Sequence, residues 1–308
     1  MAATPKVTEI TPAAVPSRTV PRMVAGLVRT ARPRQWIKNV LVFAAPFAAG
    51  KIEHPAVLRA ALVAFVAFCL AASAIYLIND AKDADADRAH PTKRNRPIAA
   101  GIVPAPLAMG VSVVLLFGAL GVALVQNWQL VIVIGVYEAV QLGYCYGLKH
   151  EPVIDLCIVA SGFLLRSIAG GVAANLTLSQ WFLLTTAFGS LFMVSGKRYA
   201  EIRLYEETGA EIRASLRRYS SSYLRFVWAT SVAIVITTYS LWAFDLHTHF
   251  RSVWPVISIV PFVVALLRYA VDVDGGKAGE PEEIVLHDRV LQVLGVCWVA
   301  TVALAFYL

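Results

Sequence analysis

Apolar runs long enough to cross a bilayer alternate with short charged stretches along the whole chain. They fall at about 36–52, 55–79, 104–125, 128–147, 153–175, 179–197, 223–245, 252–271 and 289–308, and a helical span needs roughly 20 apolar residues. The pattern predicts an all-α polytopic membrane protein whose nine transmembrane helices pack as a bundle. The first run is the weakest, being short and carrying Lys38 near its start. The connections alternate too. Those at Gln126-Asn127 and 175–180 barely leave the apolar region, whereas 80–103, 198–222 and 272–288 are long and charged. One end of the bundle should therefore carry a polar cap, and the chemistry with it.

Composition agrees. Of 308 residues, 58% are hydrophobic, and the mean hydropathy of +0.66 excludes a soluble domain of this length. The formal charge of +7 reports topology before it reports a ligand, and no nucleic-acid partner is implied. With the N-terminus inside, only Lys51, Arg59 and Arg251 fall in outside segments. That asymmetry predicts N-in, C-out insertion in the inner (cytoplasmic) membrane, with every charged cluster on the cytoplasmic side. Residues 1–21 read as a disordered cytoplasmic tail without the apolar core of a signal peptide. Residues 22–308 read as one domain, whose opening stretch 22–34 mixes Arg with Met, Val and Leu and suits the membrane surface. The four cysteines lie in or beside apolar runs without CxxC spacing, as packing thiols do. A homo-oligomer is compatible with all of this.

The most informative stretch is Asn79-Asp80-Ala81-Lys82-Asp83-Ala84-Asp85-Ala86-Asp87, directly after an apolar run. Carboxylates crowded at a low-dielectric boundary repel one another unless a cation compensates them. On a continuous helix Asp80, Asp83 and Asp87 share one face, Asn79 flanks it, and Asp85 points away. Such an oxygen-rich stripe suits Mg²⁺ bridged to a phosphorylated substrate. The plain alternative is a solvated acidic helix end paired with its own basic neighbours. Those neighbours are His90, Lys93, Arg94 and Arg96, which could equally take phosphate charge.

Further polar groups sit at the same end. Tyr146, Lys149, Glu151 and Asp155 surround Pro152, which suits a helix start. Asp155 could hold metal or a substrate hydroxyl, and Lys149 a phosphate. Arg166, three turns beyond Asp155, needs a partner inside the membrane: a carboxylate such as Glu138 on the preceding run, a carbonyl or a bound anion. Lys197 and Arg198 follow Gly196 and offer a point charge and a bidentate fork. The arginines after them, Arg213, Arg217 and Arg218, suit anionic head groups or nearby Glu206, Glu207 and Glu211. Lys38 and Asn39 enter the first run, where an unpaired Lys is costly, so a ligand role is expected.

With NDxxDxxxD met in full by Asn79, Asp80, Asp83 and Asp87, the chain resembles the UbiA superfamily of intramembrane prenyltransferases. The order of spans and charged loops is similar over about residues 30–308. The stretches RPRQWIKN, HPTKRNRPIAAG, YGLKHEPVID and SGKRYAEI are similar to a branch that transfers phosphoribose rather than a prenyl group. Aromatic prenyltransferases usually carry a second DxxxD-type motif; here Lys149, Glu151 and a single Asp155 stand in that region. The resemblance implies a Mg²⁺-dependent pentosyltransferase moving phosphoribose from PRPP to decaprenyl phosphate, for arabinan cell-wall synthesis. It implies catalytic Asn79, Asp80, Asp83, Asp87 and Asp155, with Asp80, Asp83 and Asp87 on the metal. Lys38, Asn39, Lys93, Arg94, Arg96, Tyr146, Lys149, Arg166, Lys197 and Arg198 would bind substrate, with Lys93 and Arg96 near the leaving diphosphate. An aromatic prenyltransferase with a prenyl diphosphate donor is the main alternative. A transporter is disfavoured because the charges gather at one face.

Overall fold

A computed structural model describes residues 19–209, 216, 218–276, 284 and 287–307. Arg213, Arg217 and Glu211, and most of the N-terminal tail, lie outside the described residues. The described residues are helical, with no strand among them. In chain order the helices are α1 (Val20–Ala31), α2 (Ala44–Ala48), α3 (Pro55–Lys82), α4 (Ala84–Ala89), α5 (Ala105–Gln126) and α6 (Trp128–Cys145). They continue with α7 (Ile154–Ala173), α8 (Gln180–Thr208), α9 (Ser221–Phe250), α10 (Trp254–Asp274) and α11 (Arg289–Tyr307). Among the described residues, seven are long and apolar enough to cross a membrane: α3, α5, α6, α7, α9, α10 and α11.

The other two expected spans are built differently. The run at 36–52 is a 3-10 stretch, Pro33–Phe43, followed by the five-residue α2. Pro46 lacks the amide that would bond the Val42 carbonyl, so no regular helix runs through the stretch. The run at 179–197 opens α8, which at 29 residues is long enough but is diluted by Gln180, Thr185, Thr186 and Ser190.

Alanine-rich α3 is the central post. Ala60, Ala61, Ala64, Ala67 and Ala71 are buried around Phe68, and α5, α6 and α7 pack against this helix. Small residues permit that close approach where lipid gives no hydrophobic drive. The tightest contact involves Gly170 of α7, where a Cβ would stand 1.7 Å from the Val42 carbonyl oxygen. A second cluster joins α7 to α8, α9 and α10 through Leu156, Phe192, Tyr199, Trp228 and Tyr269. The outward faces stay apolar, as at Phe117 and Val114, both 70% exposed; a bilayer, not water, suits such a surface.

The non-site end is closed by the short turn noted in the sequence. Asn127 accepts the Leu130 amide at 2.8 Å and donates to the carbonyls of Val172 and Ala173, ending α7. Gln126 adds a 2.8 Å bond to the same Ala173 carbonyl. The opposite end gathers the C-terminus of α3, the N-terminus of α7 and the polar half of α8.

Candidate functional site

The acidic stripe does not ride one continuous helix. α3 stops at Lys82, Asp83 caps it with its amide on the Asn79 carbonyl, and α4 restarts at Ala84. The facing survives the break. Asp80 and Asp87 are buried, at 2% and 4% exposure, Asp83 is half-buried, and the Asp85 side chain is 95% exposed. Asp85 pairs with its neighbour Arg88, as a solvated helix end does.

The other carboxylates draw cations from distant parts of the chain. Arg32, in left-handed conformation after α1, reaches both Asp80 oxygens at 2.7 and 3.0 Å and lies over the Tyr76 ring. Arg96 bridges Asp80 at 3.2 Å and Asp87 at 2.7 Å. Lys149 meets Asp83 at 2.5 Å. Carboxylates at the C-terminus of α3 oppose the helix dipole, so these cations offset two costs together.

Asp155 anchors a second group. It lies in the first turn of α7, where the dipole favours an anion, and is 1% exposed. The Tyr219 hydroxyl donates to its Oδ1 at 2.5 Å and accepts the Val153 amide at 2.5 Å. Val153 is β-branched with φ of 69°, a conformation that persists only where its surroundings hold it. Burial, then the bond donated to Asp155, raises the Tyr219 hydroxyl well above the ordinary tyrosine range, so it stays a donor. Arg198 stands 3.9 Å from Asp155 Oδ2 and 3.5 Å from Glu201. That Oδ2 is buried with no hydrogen-bond partner among the described residues. Arg218 fastens the same segment through the His150 carbonyl at 3.0 Å and Glu151 at 3.7 Å. The 148–155 segment thus joins the groups, with Lys149 on Asp83 and Val153 and Asp155 on Tyr219.

The remaining expected residues spread around these groups. Asn79 Oδ1 faces the Cys145 thiol at 3.9 Å. Tyr146, 62% exposed, lies under Lys82 at 3.8 Å. Lys93 and Lys197 are half-buried and Arg94 is exposed. Arg166 is not paired with Glu138. Its Nε donates to Asn39 Oδ1 at 2.7 Å, and its Nη atoms reach the Gly162 carbonyl and the Tyr137 hydroxyl at 2.6 and 3.3 Å. Asn39, 1% exposed, also donates to Cys69 at 3.2 Å, so this pair ties the 3-10 stretch, where half-buried Lys38 also lies, to α7. Arg32 and Tyr219 join the candidate site without being expected there from the sequence. The one available signal for Arg32 was its place beside Pro33, at a forced turn.

The donor set fits a hard divalent cation. Asp80, Asp83 and Asp87 offer oxygens alone, and the orphaned Asp155 Oδ2 offers another. In this structure they are not gathered into a metal-binding cluster among the described residues; each carboxylate of the stripe faces a basic side chain instead. Beside Asp80 lies a cavity of about 350 Å³, lined by basic side chains of α1 and the 92–97 loop.

Comparison with known proteins agrees with this architecture. A model of the UbiA prenyltransferase family matches residues 40–287. The chain belongs to the UbiA prenyltransferase family. One relative of this UbiA-family chain, from Mycolicibacterium smegmatis, is 56% identical over 92% of this chain and 93% of its own length. Another, from Corynebacterium glutamicum, is 54% identical over 92% of this chain and 87% of its own. Both are named decaprenyl-phosphate phosphoribosyltransferase. Among solved structures, a UbiA homolog from Archaeoglobus fulgidus bound to GPP and Mg²⁺ superposes with a TM-score of 0.69. It covers 92% of this chain and 98% of that one at 18% identity, which speaks for the UbiA fold alone.

Proposed function

We propose that this UbiA-family chain transfers 5-phosphoribose from PRPP to decaprenyl phosphate and releases pyrophosphate. The observation that carries the reading is near full-length identity of 54–56% to relatives bearing that name. The geometry supports it. Both substrates bring phosphate, and Arg32, Arg96, Lys149 and Arg198 all point into one acidic end of the bundle. The multi-pass fold would sit in the inner membrane with this end in the cytoplasm, where a soluble donor is available.

A lipid phosphate oxygen attacks the ribose C1, the bond from C1 to the diphosphate oxygen breaks, and pyrophosphate leaves with the electron pair. The nucleophile is already anionic, so no general base is needed. Charge builds on the leaving oxygens, and Arg96 and Lys149 are placed to receive it. C1 develops positive character, which the Asp155 carboxylate, oriented by Tyr219, stabilises. Mg²⁺, held by Asp80, Asp83 and Asp87, would neutralise part of the diphosphate charge. Lys38, Asn39, Arg94, Tyr146, Arg166 and Lys197 remain candidates for substrate contact, with Asn39 and Arg166 acting also as a structural tie.

The test is purified full-length protein given labelled PRPP with decaprenyl phosphate and, separately, a prenyl diphosphate with an aromatic acceptor. A phosphoribosyl lipid is expected in the first mixture. Product in the second mixture alone would transfer the assignment to an aromatic prenyltransferase.

A further inference from the structure

The cavity beside Asp80 has a charge imbalance that the stripe does not explain. Its walls include Arg29, Arg32, Asp80, Lys93, Asn95 and Arg96. Asp80 already holds Arg32 and Arg96. Arg29 and Lys93 make no ion pair among the described residues. Two uncompensated cations across a cavity of about 350 Å³ describe a place for a doubly charged anion.

The orientation of α1 indicates from which side that anion arrives. Val20, Val24 and Val28 form an exposed apolar stripe along the helix, at 68%, 54% and 54% exposure. Gly26 and Thr30 form its buried face, with Gly26 tight against Val103. At about 100° per residue, Arg29 projects from the side roughly opposite the valine stripe. With the valines in the membrane surface, Arg29 points away from the bilayer, toward the side from which a soluble substrate enters. Asp80 lines the cavity and also begins the carboxylate stripe, so one small molecule can reach both.

We propose that this cavity is the subsite for the 5-phosphate of the donor, with Arg29 and Lys93 as its ligands. The assignment rests on the phosphoribosyl-transfer reading and divides the donor in two, its monophosphate here and its diphosphate at the stripe. Lys93, expected from sequence near the diphosphate, then serves the other end of the molecule.

The test uses two fragments of the donor as inhibitors of the full-length enzyme, ribose 5-phosphate and pyrophosphate. In Arg29→Gln, Lys93→Gln and the double variant, the KM for PRPP and the inhibition constant of ribose 5-phosphate rise together. The double variant reaches at least about tenfold, the scale of one lost charged contact. Inhibition by pyrophosphate and the KM for decaprenyl phosphate stay within about twofold of wild type. Arg34→Gln, which removes the same charge outside the cavity, leaves all four unchanged. The subsite is overturned if ribose 5-phosphate does not inhibit the wild type, or if its inhibition is insensitive to both substitutions. It is also overturned if the substitutions raise the KM for decaprenyl phosphate instead, which would make the cavity an acceptor site. Wild-type transfer in the same assay separates these failures from failure of the overall reaction.

Discussion

Tyr219→Phe removes one oxygen and isolates the role of Asp155. In the wild type that hydroxyl is a single bridge: it donates to Asp155 Oδ1 and accepts the Val153 amide, each at 2.5 Å. Without it, Asp155 remains 1% exposed with Arg198 no closer than 3.9 Å. A hydrogen bond to a buried charge contributes about 1.5–3 kcal/mol. If that bond aims the carboxylate at the reacting carbon, its loss appears as a drop in kcat of about 10- to 150-fold. Because Tyr219 acts through Asp155, the effect should vanish where Asp155 is already gone. Steady-state transfer from labelled PRPP would be measured for wild type, Tyr219→Phe, Asp155→Ala and the double variant. The expected cycle is strongly non-additive, with Tyr219→Phe costing little on the Asp155→Ala background. Additive losses, or a Tyr219→Phe rate within twofold of wild type, would refute the positioning role.

Asp80→Ala and Asp87→Ala should abolish transfer, as should a chelator with recovery on added Mg²⁺; Asp85→Ala, altering a side chain 95% exposed, should stay within about twofold because its pair with Arg88 is a surface one. A full rate for Asp80→Ala, or a dead Asp85→Ala, would contradict the facing of the stripe. Gly170→Ala should destabilise by about 3 kcal/mol or more, because the new Cβ meets the Val42 backbone carbonyl at 1.7 Å; an unchanged thermal midpoint in detergent would contradict that contact. Asp288 caps α11 by accepting the amides of Val290 and Leu291, and its bond from Arg268, followed by those amides, holds its carboxyl below the ordinary 3.8. A lowered value gives a contribution that is present above 3.8 and lost as pH falls through the lowered value. Amide protection at the start of α11 should therefore weaken only in that acid range, and Asp288→Asn should weaken it already at neutral pH.

The stripe was legible because charge is conspicuous in an apolar chain and because helical spacing places Asp80, Asp83 and Asp87 together even across the break at Asp83. Charge asymmetry likewise located the polar end, where the structure gathers these carboxylates and their cations. What periodicity does not carry is pairing between elements. Arg32 lies 48 residues before Asp80, and Tyr219 lies 64 residues after Asp155. Each sits among neighbours that explain it locally, Arg32 in a basic topology signal and Tyr219 in a charged loop. The Arg166 partner shows the same limit. A buried guanidinium demanded an acceptor, and Glu138 was the acid on the preceding apolar run. The structure instead supplies the Asn39 amide from 127 residues away, brought close because Gly170 lets the 3-10 stretch lie directly on α7. That stretch explains both the Asn39 and the Arg32 contacts. Pro46 interrupts a regular helix, and the irregular backbone puts Asn39 against Arg166 and leaves Arg32 turned toward Asp80. The departure from a simple span is therefore what brings Arg32 to the carboxylates of the candidate site.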